Sequence, residues 1–403
     1  MVMGSKLENR LPRPALAAAL LFVVLGGAYL LSKSVFNSAP EIDLKYIWVA
    51  GQLWADGVNP YSDQFGVLGD PYFTATNTLD HWLYPPNWWI LSRPLAQFGI
   101  EQATWIWRSA NALLLAGGVL LVVRAFRDKL RGALLIPAAA LFGYVATMQP
   151  TAQSLTMGQT SILLYFGLSA VIFGLMRDKA FWVVLGLALV ALKPQAGMVV
   201  YAAVVAMPQQ RVRVLSAVCV TGLLCVPAFL SVGFWPTVSG VVDAYLNYNG
   251  AIEVTSAANT TGVRHLIYTG FGIDVPSLGL VLLAAALAFT LTIVLTRGET
   301  PAHFQVSILI FLVLISLIPL HNYDFMVAAP LVLLVFMPGV TGSVRLLVAV
   351  CLLLIYRADN LAEVTGITNS ETLYSPGTLI YSAAAVLVTV GLLARLGRLG
   401  RDA

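Results

Sequence analysis

The carboxylate of Asp43 is one of the few groups in this sequence that could act as a general base. Apolar residues follow it at helical spacing, at Leu44, Ile47, Trp48 and Leu53. That pattern predicts an amphipathic helix at an interface between water and apolar surroundings. Partial desolvation there would raise the pKa of the carboxyl group towards that of a useful base. Spacing alone leaves open the alternative that Asp43 is a solvated N-cap of the helix.

The segment from His321 to Asp324 puts four polar residues between two apolar runs. Asn and Asp favour turns, so a tight turn is one interpretation of the segment. A turn would not need His321, however, and polar groups left unsatisfied in apolar surroundings are costly. We therefore interpret the segment as part of a functional site, with His321 as a catalytic residue.

A lysine and a proline, Lys193 and Pro194, interrupt a long apolar stretch and are followed by Gln195. A buried lysine must be paired or neutralised, and a proline breaks a helix and frees backbone carbonyls. A phosphate anion would be a natural partner for this ammonium group. The alternative is a lysine that snorkels to an interface.

Two further polar stretches lie at 149–153 and 158–161, and the second contains Gln159. Their amides and hydroxyls could bind sugar hydroxyls, or they could cap helices. The pair Arg264 and His265 is a weaker candidate, for which an ordinary loop is favoured.

The composition identifies the surroundings of these groups. Of the 403 residues, 59% are hydrophobic and 10% are charged, and the mean hydropathy is +0.82. A water-facing surface carries about 25–35% charged residues, so the chain is interpreted as a polytopic membrane protein. A soluble enzyme, a disordered chain and a nucleic-acid binder are excluded. The three cysteines lie in apolar runs, and no zinc-binding motif occurs, so we expect no metal and no cofactor.

We predict an all-α fold of about twelve transmembrane helices in a single domain, 1–403. Runs of suitable length lie near 15–32, 103–124, 133–148, 160–176, 180–193, 195–208, 214–233, 277–296, 304–320, 325–338, 344–357 and 378–394. With both termini cytoplasmic, sixteen of the 23 Lys and Arg residues fall on the cytoplasmic side.

The long extracytoplasmic loops are then 33–102, 234–276 and 358–377, and most acids lie there, as do His81 and His265. Within the first loop, an interfacial or re-entrant helix is expected at 84–91, with its tryptophans at the level of the lipid headgroups. The cytoplasmic loops are short and contain no nucleotide-binding motif.

Several blocks together resemble the polyprenol-phosphate-mannose-dependent α-1,2-mannosyltransferases of the GT-C glycosyltransferases, typified by the mycobacterial phosphatidylinositol-mannoside mannosyltransferase. These blocks are Asp43-x-x-Tyr46, Ala50-Gly51, Gly57, Asn59-Pro60-Tyr61, Tyr84-Pro85-Pro86, Arg93-Pro94-Leu95, Gly158-Gln159, Leu192-Lys193-Pro194-Gln195-x-Gly197 and His321-x-Tyr323-Asp324. The resemblance implies a GT-C-like bundle in a bacterial plasma membrane. It also implies inverting transfer of mannose from a polyprenyl-phosphate donor to a glycolipid or glycan acceptor on the extracytoplasmic face, with no nucleic-acid partner.

The resemblance also implies roles for single residues. An essential aspartate in the first outer loop matches Asp43, which would be the general base. The donor-binding candidates are Lys193, His321, Gln195, Arg264 and Tyr46, and the acceptor-binding candidates are Tyr61, Tyr84, Gln159 and Asp324. Many GT-C enzymes carry paired outer acids that bind a metal. Here Glu41 lies two residues from Asp43 without a second clear pair, so we expect metal independence.

Two other classes of protein stay open as alternatives. A secondary transporter should carry charges at mid-membrane on broken helices in matching halves, and no internal repeat is visible. A polysaccharide polymerase or ligase should carry outer arginines for a lipid diphosphate. Only Arg93, Arg108, Arg264 and Arg357 are available for that role.

Overall fold

A computed structural model describes residues 13–35, 42–73, 82–130, 134–248, 257–274, 303–367 and 375–395. All regular secondary structure in these ranges is helical, which confirms the predicted all-α class. The apolar run expected at 277–296 lies outside the described residues.

The helices of the first half are α1 (Arg13–Val35), α2 (Ile42–Ala55), α3 (Gln64–Gly69), α4 (Trp89–Leu95), α5 (Ile100–Ala125), α6 (Leu135–Thr147), α7 (Gln149–Met157), α8 (Ser161–Met176), α9 (Ala180–Val190) and α10 (Pro194–Val205). Six of them, α1, α5, α6, α8, α9 and α10, follow the predicted apolar runs to within a few residues. A 3-10 turn at Pro86–Trp88 leads directly into α4.

The second half contains the remaining described helices. Its helices are α11 (Arg211–Val232), α12 (Phe234–Tyr248), α13 (Val263–Phe271), α14 (His303–Leu317), a 3-10 helix (Asn322–Leu331) that continues as α15 (Val332–Phe336), α16 (Gly342–Tyr356), α17 (Ala358–Thr365) and α18 (Thr378–Leu393).

Two local breaks in helical structure shape the region of the candidate site. Gly158 ends α7 with φ of 71°, a left-handed conformation that glycine adopts without steric cost, and α8 begins three residues later. Pro194 begins α10, because a proline at the first helical position removes only an N–H that would lack a helical partner. Each break leaves a polar residue, Gln159 or Lys193, between two consecutive helices.

Helix α8 lies at the centre of the bundle, packed against α5 and α9. Its contact with α9 is close because both helices carry glycine there: a Cβ on Gly186 would lie 2.6 Å from the carbonyl oxygen of Gly167. A second core is aromatic and surrounds α2 with Trp82, Trp88 and Trp107. The helical bundle therefore forms an apolar scaffold, and α2 packs against it.

The structure corrects two expectations about the first long loop. Helix α2 was expected at an interface, but residues 47–50, a full helical turn, are all buried, so protein encloses most of it. The side chain of Trp88, expected at headgroup level, is fully buried, and its indole N–H donates to the carbonyl oxygen of Leu192 at 2.9 Å. The hydrogen bond of Trp88 brings this loop into contact with the break at Lys193.

Length and composition alone qualify two described helices to cross a membrane, Ile100–Ala125 and Pro208–Val232, the second counted with the 3-10 turn before α11. Nine further apolar helices are 10–17 residues long. The number of crossings, the orientation and the loop assignments therefore stay predictions.

Candidate functional site

Asp43 lies in the first turn of α2 and is hydrogen-bonded to Gln159, which follows the left-handed Gly158. The amide nitrogen Nε2 of Gln159 donates to Oδ2 of Asp43 at 2.5 Å. Asp43 is partly accessible, whereas Gln159 is buried. The contact joins the segment before α8 to the start of α2, across 116 residues of chain.

The pKa of Asp43 is raised from 3.8 to about 7, chiefly because burial removes water from the carboxylate. The positive charge of Lys193 and the hydrogen bond from Gln159 lower this pKa, and the negative charge of Asp324 raises it. A carboxyl group with this pKa is partly ionised at neutral pH and can both accept and release a proton.

Lys193 and Asp324 form a buried ion pair beside Asp43. Nζ of Lys193 contacts Oδ1 of Asp324, and the two residues are 8% and 0% exposed. The same Oδ1 accepts a hydrogen bond from the hydroxyl of Ser161 at 2.5 Å, and Oδ2 accepts one from the backbone N–H of His321 at 3.3 Å. The lysine predicted to be buried is therefore paired, not snorkelling, and its partner here is a carboxylate.

The imidazole of His321 is oriented by a backbone carbonyl. Its Nδ1 lies 3.0 Å from the carbonyl oxygen of Asn259, and because a carbonyl can only accept, Nδ1 carries the proton. Burial lowers the pKa of His321; Asp324 raises it and Lys193 lowers it further. The neutral ring at pH 7 then has Nε2 as its unprotonated nitrogen.

Tyr323 lines the same cluster with its ring. Its centroid lies 5.4 Å from Nζ of Lys193, within range of a cation–π contact, and 5.2 Å from the centroid of the His321 ring. Its backbone carbonyl accepts a hydrogen bond from Ser154 of α7 at 3.3 Å. The 3-10 helix is thus tied to the lysine and to α7.

The other sequence-predicted residues lie elsewhere. Tyr46 packs against Phe73 in the aromatic core of the first loop, with ring centroids 4.3 Å apart and the rings tilted by 37°. The hydroxyl of Tyr61 donates to the carbonyl of Tyr84 at 2.6 Å, which holds that loop in place. Gln195 is exposed in the first turn of α10.

Arg264 lies on a helix, α13, and not in the ordinary loop that was favoured for it. It forms an ion pair with Asp274 at 2.9 Å. The stretch before α13 supplies the Asn259 carbonyl to His321, and Thr261 donates its backbone N–H to the carbonyl of Leu320 at 2.7 Å. Arg264 therefore follows directly on the segment whose backbone contacts His321 and Leu320.

The structure brings together five of the ten predicted site residues: Asp43, Gln159, Lys193, His321 and Asp324. Among the described residues, no three His, Cys, Asp or Glu side chains are grouped so that they could hold a metal ion.

The sequence did not reveal that Ser161 donates a hydrogen bond to Asp324, and Asp359 was not singled out as a candidate. Asp359 follows an apolar run within a few residues, as Asp324 does, and that shared position was the available signal.

A comparison with protein-family models finds one described as Glycosyltransferase family 87, which matches residues 82–318, more than half of the chain. The class is that of a glycosyltransferase, an enzyme that moves a sugar from a donor to an acceptor. The chain belongs to glycosyltransferase family 87. No curated protein and no solved structure matches. Gln159, Lys193 and Arg264 fall inside the matched range, and Asp43 and His321 lie outside it.

Proposed function

We propose that this glycosyltransferase is a multi-pass membrane enzyme that moves mannose, with inversion, from a polyprenyl-phosphate donor to a glycolipid or glycan acceptor. The observation that carries the proposal is the Asp43 carboxyl group, with its pKa of about 7, beside the buried ammonium of Lys193. A base and a cation at one site suit a reaction that removes a proton from one oxygen and leaves negative charge on another.

Asp43 acts as the general base. Its carboxylate takes the proton of the acceptor hydroxyl while that oxygen forms a bond to the anomeric carbon of the donor. The bond between the anomeric carbon and the phosphate oxygen breaks from the opposite face, and its electron pair leaves with the lipid phosphate. One displacement of this kind inverts the anomeric centre, which gives an α-linkage, proposed as α-1,2, from a β-linked donor.

Lys193 stabilises the departing phosphate, with His321 beside it. In the described structure the ammonium is held by Asp324, whose carboxylate also accepts a hydrogen bond from Ser161, so the ammonium is positioned before any donor arrives. A preorganised charge needs no rearrangement during the reaction, and this increases its effect in a dry site. Asp324 then serves mainly to aim Lys193.

The membrane setting and sidedness rest on composition. The chain is 10% charged, its basic residues cluster in segments expected to be cytoplasmic, and most of its acids and three of its four histidines fall on the other side. A lipid-linked donor is already activated, which fits the lack of a nucleotide-binding motif. The proposed mechanism needs no metal, because Lys193 supplies the positive charge.

The test uses purified protein in lipid vesicles with radiolabelled polyprenyl-phosphate mannose and a panel of glycolipid acceptors. Wild type should form labelled product and release the lipid phosphate. Asp43→Asn should lower turnover at least about 100-fold. Asp56→Asn, an exposed acid at the other end of the same helical region, is the matched control and should retain wild-type turnover. Wild-type protein that transfers no sugar, or Asp43→Asn at full rate, would overturn the proposal.

A further inference from the structure

A second buried carboxylate, Asp359, lies in the first turn of α17 and is 4% exposed. Its Oδ1 accepts hydrogen bonds from the hydroxyl of Ser375 and from the backbone N–H of Gly377, the latter at 2.9 Å. Its Oδ2 accepts one from Nε2 of Gln153 in α7, at 2.7 Å. Three donors therefore point at this carboxylate, on both of its oxygens.

The side-chain amide of Gln153 connects Asp359 to the candidate site by two hydrogen bonds. With its Nε2 committed to Asp359, its Oε1 accepts a hydrogen bond from Nδ2 of Asn322 at 2.7 Å. Asn322 stands between His321 and Tyr323 at the start of the 3-10 helix. Asp359, Gln153 and Asn322 form a relay, and it ends on the backbone segment that carries His321 and Asp324.

We propose that Asp359 is a positioning residue that fixes the His321–Asp324 segment through the relay, and thereby aims the Lys193 ammonium. The proposal rests on the function proposed above. The reason that the position needs a carboxylate is polarity: an ionised aspartate accepts hydrogen bonds on both oxygens, whereas an amide must donate from one end. Nothing in the proposed chemistry requires Asp359 itself to touch the sugar.

The amide variant Asp359→Asn keeps the shape but introduces a donor. If its nitrogen faces Gly377, two N–H groups oppose each other, and if it faces Gln153 the same conflict arises there. Gln153 can relieve that conflict by rotating its amide, but its nitrogen then faces the nitrogen of Asn322. The unfavourable contact is then between Gln153 and Asn322, which is closer to the site. The variant should therefore disturb the site without creating a cavity.

A second substitution can restore the pattern. In Asp359→Asn with Gln153→Glu, the new amide oxygen accepts from Gly377, and its nitrogen donates to the new glutamate. The second oxygen of that glutamate accepts from Asn322. Every donor is paired again, with the negative charge moved one link along the relay. A change in side-chain volume cannot explain such a rescue. Recovery in the double variant would therefore show that Asp359 acts through these hydrogen bonds and not through the general stability of the fold.

The experiment measures mannose transfer from polyprenyl-phosphate mannose in vesicles for the full-length chain. Asp359→Asn should lower kcat/KM for the donor about tenfold to 100-fold, the range for small misplacements of reacting groups. The double variant should recover most of the loss. Glu363→Gln, an exposed acid on the same helix, is the control and should match wild type. Asp359→Asn within twofold of wild type, or a double variant no better than the single one, would overturn the relay.

Hydrogen exchange supplies a readout that needs no sugar donor. The backbone amides of residues 321–324 should exchange faster in Asp359→Asn and return to the wild-type rate in the double variant. Unchanged exchange would contradict the relay, whatever the outcome of the transfer assay. Wild-type protein that transfers no mannose would refute the proposed function instead. Should Asp359→Asn fail to fold, Gln153→Met removes the middle link and must give the same faster exchange.

Discussion

The pH dependence of transfer follows directly from the pKa of Asp43. The base form is the carboxylate, so with a pKa of about 7 the value of kcat/KM should rise with pH and reach half its plateau near pH 7. At pH 5 only about one molecule in 100 carries the base, and transfer should be about 100-fold slower than at pH 9. Asp43→Asn should show a low rate without this rise.

The same shift predicts an effect on stability. The folded state holds a proton on Asp43 that the unfolded chain, with a pKa near 3.8, has already released. This group therefore destabilises the fold progressively as pH rises from about 4 to about 7. At about 1.4 kcal/mol per pKa unit, the cost above pH 7 is at most about 4 kcal/mol, and partial exposure reduces it.

Thermal unfolding in detergent at pH 5 and pH 8 measures that cost. Asp43→Asn cannot ionise, so its melting temperature should exceed that of wild type by more at pH 8 than at pH 5. Asp56→Asn, at an exposed acid beyond the other end of α2, is the control for the substitution itself. A transfer profile with its midpoint near pH 4, together with equal melting at both pH values, would mean that Asp43 is solvated and merely begins a helix.

Four further predictions follow. Lys193→Met should lower the apparent donor affinity about 10-fold to 150-fold, because it removes one charge-assisted contact of about 1.5–3 kcal/mol. The variant should also have a lower melting temperature, because the buried carboxylate of Asp324 loses its partner. Gly51→Ala should destabilise the protein by about 1–3 kcal/mol or more in urea unfolding, since a Cβ there would lie 2.1 Å from the carbonyl oxygen of Ser92. In a cysteine-free background, Gln64→Cys should react with an impermeant reagent outside the cell and Arg127→Cys should not; the reverse pattern would invert the topology. Chelation with EDTA should leave transfer unchanged, and a loss restored by Mg²⁺ or Mn²⁺ would refute metal independence.

The sequence predicts the helices well because their signals are local. Apolar runs mark the bodies of the helices, and residues such as Gly158 and Pro194 mark where one helix ends and another begins. The same locality identifies Asp43 and Lys193, since a charge beside a long apolar run must have a reason to be there. Nothing in this reasoning needs a neighbour from another part of the chain.

The pairings could not be predicted, because they join residues that are far apart in sequence. Lys193 meets Asp324 across 131 residues, and Gln153 meets Asp359 across 206. Trp88 shows the opposite failure: a tryptophan near prolines suggested a headgroup position, but its ring is large and apolar and fills the second core. The local sequence pattern indicates which residues could belong to a site, whereas the packing of the helices decides which of these residues come into contact.

The long separation between Lys193 and Asp324 has a consequence for the order in which the site forms during synthesis. The ribosome makes the lysine 131 residues before its acid partner, which is roughly 7–26 s at about 5–20 residues per second. Until Asp324 has been made, the ammonium of Lys193 cannot form this ion pair. The orientation that Asp324 gives to the lysine is therefore established only late in synthesis.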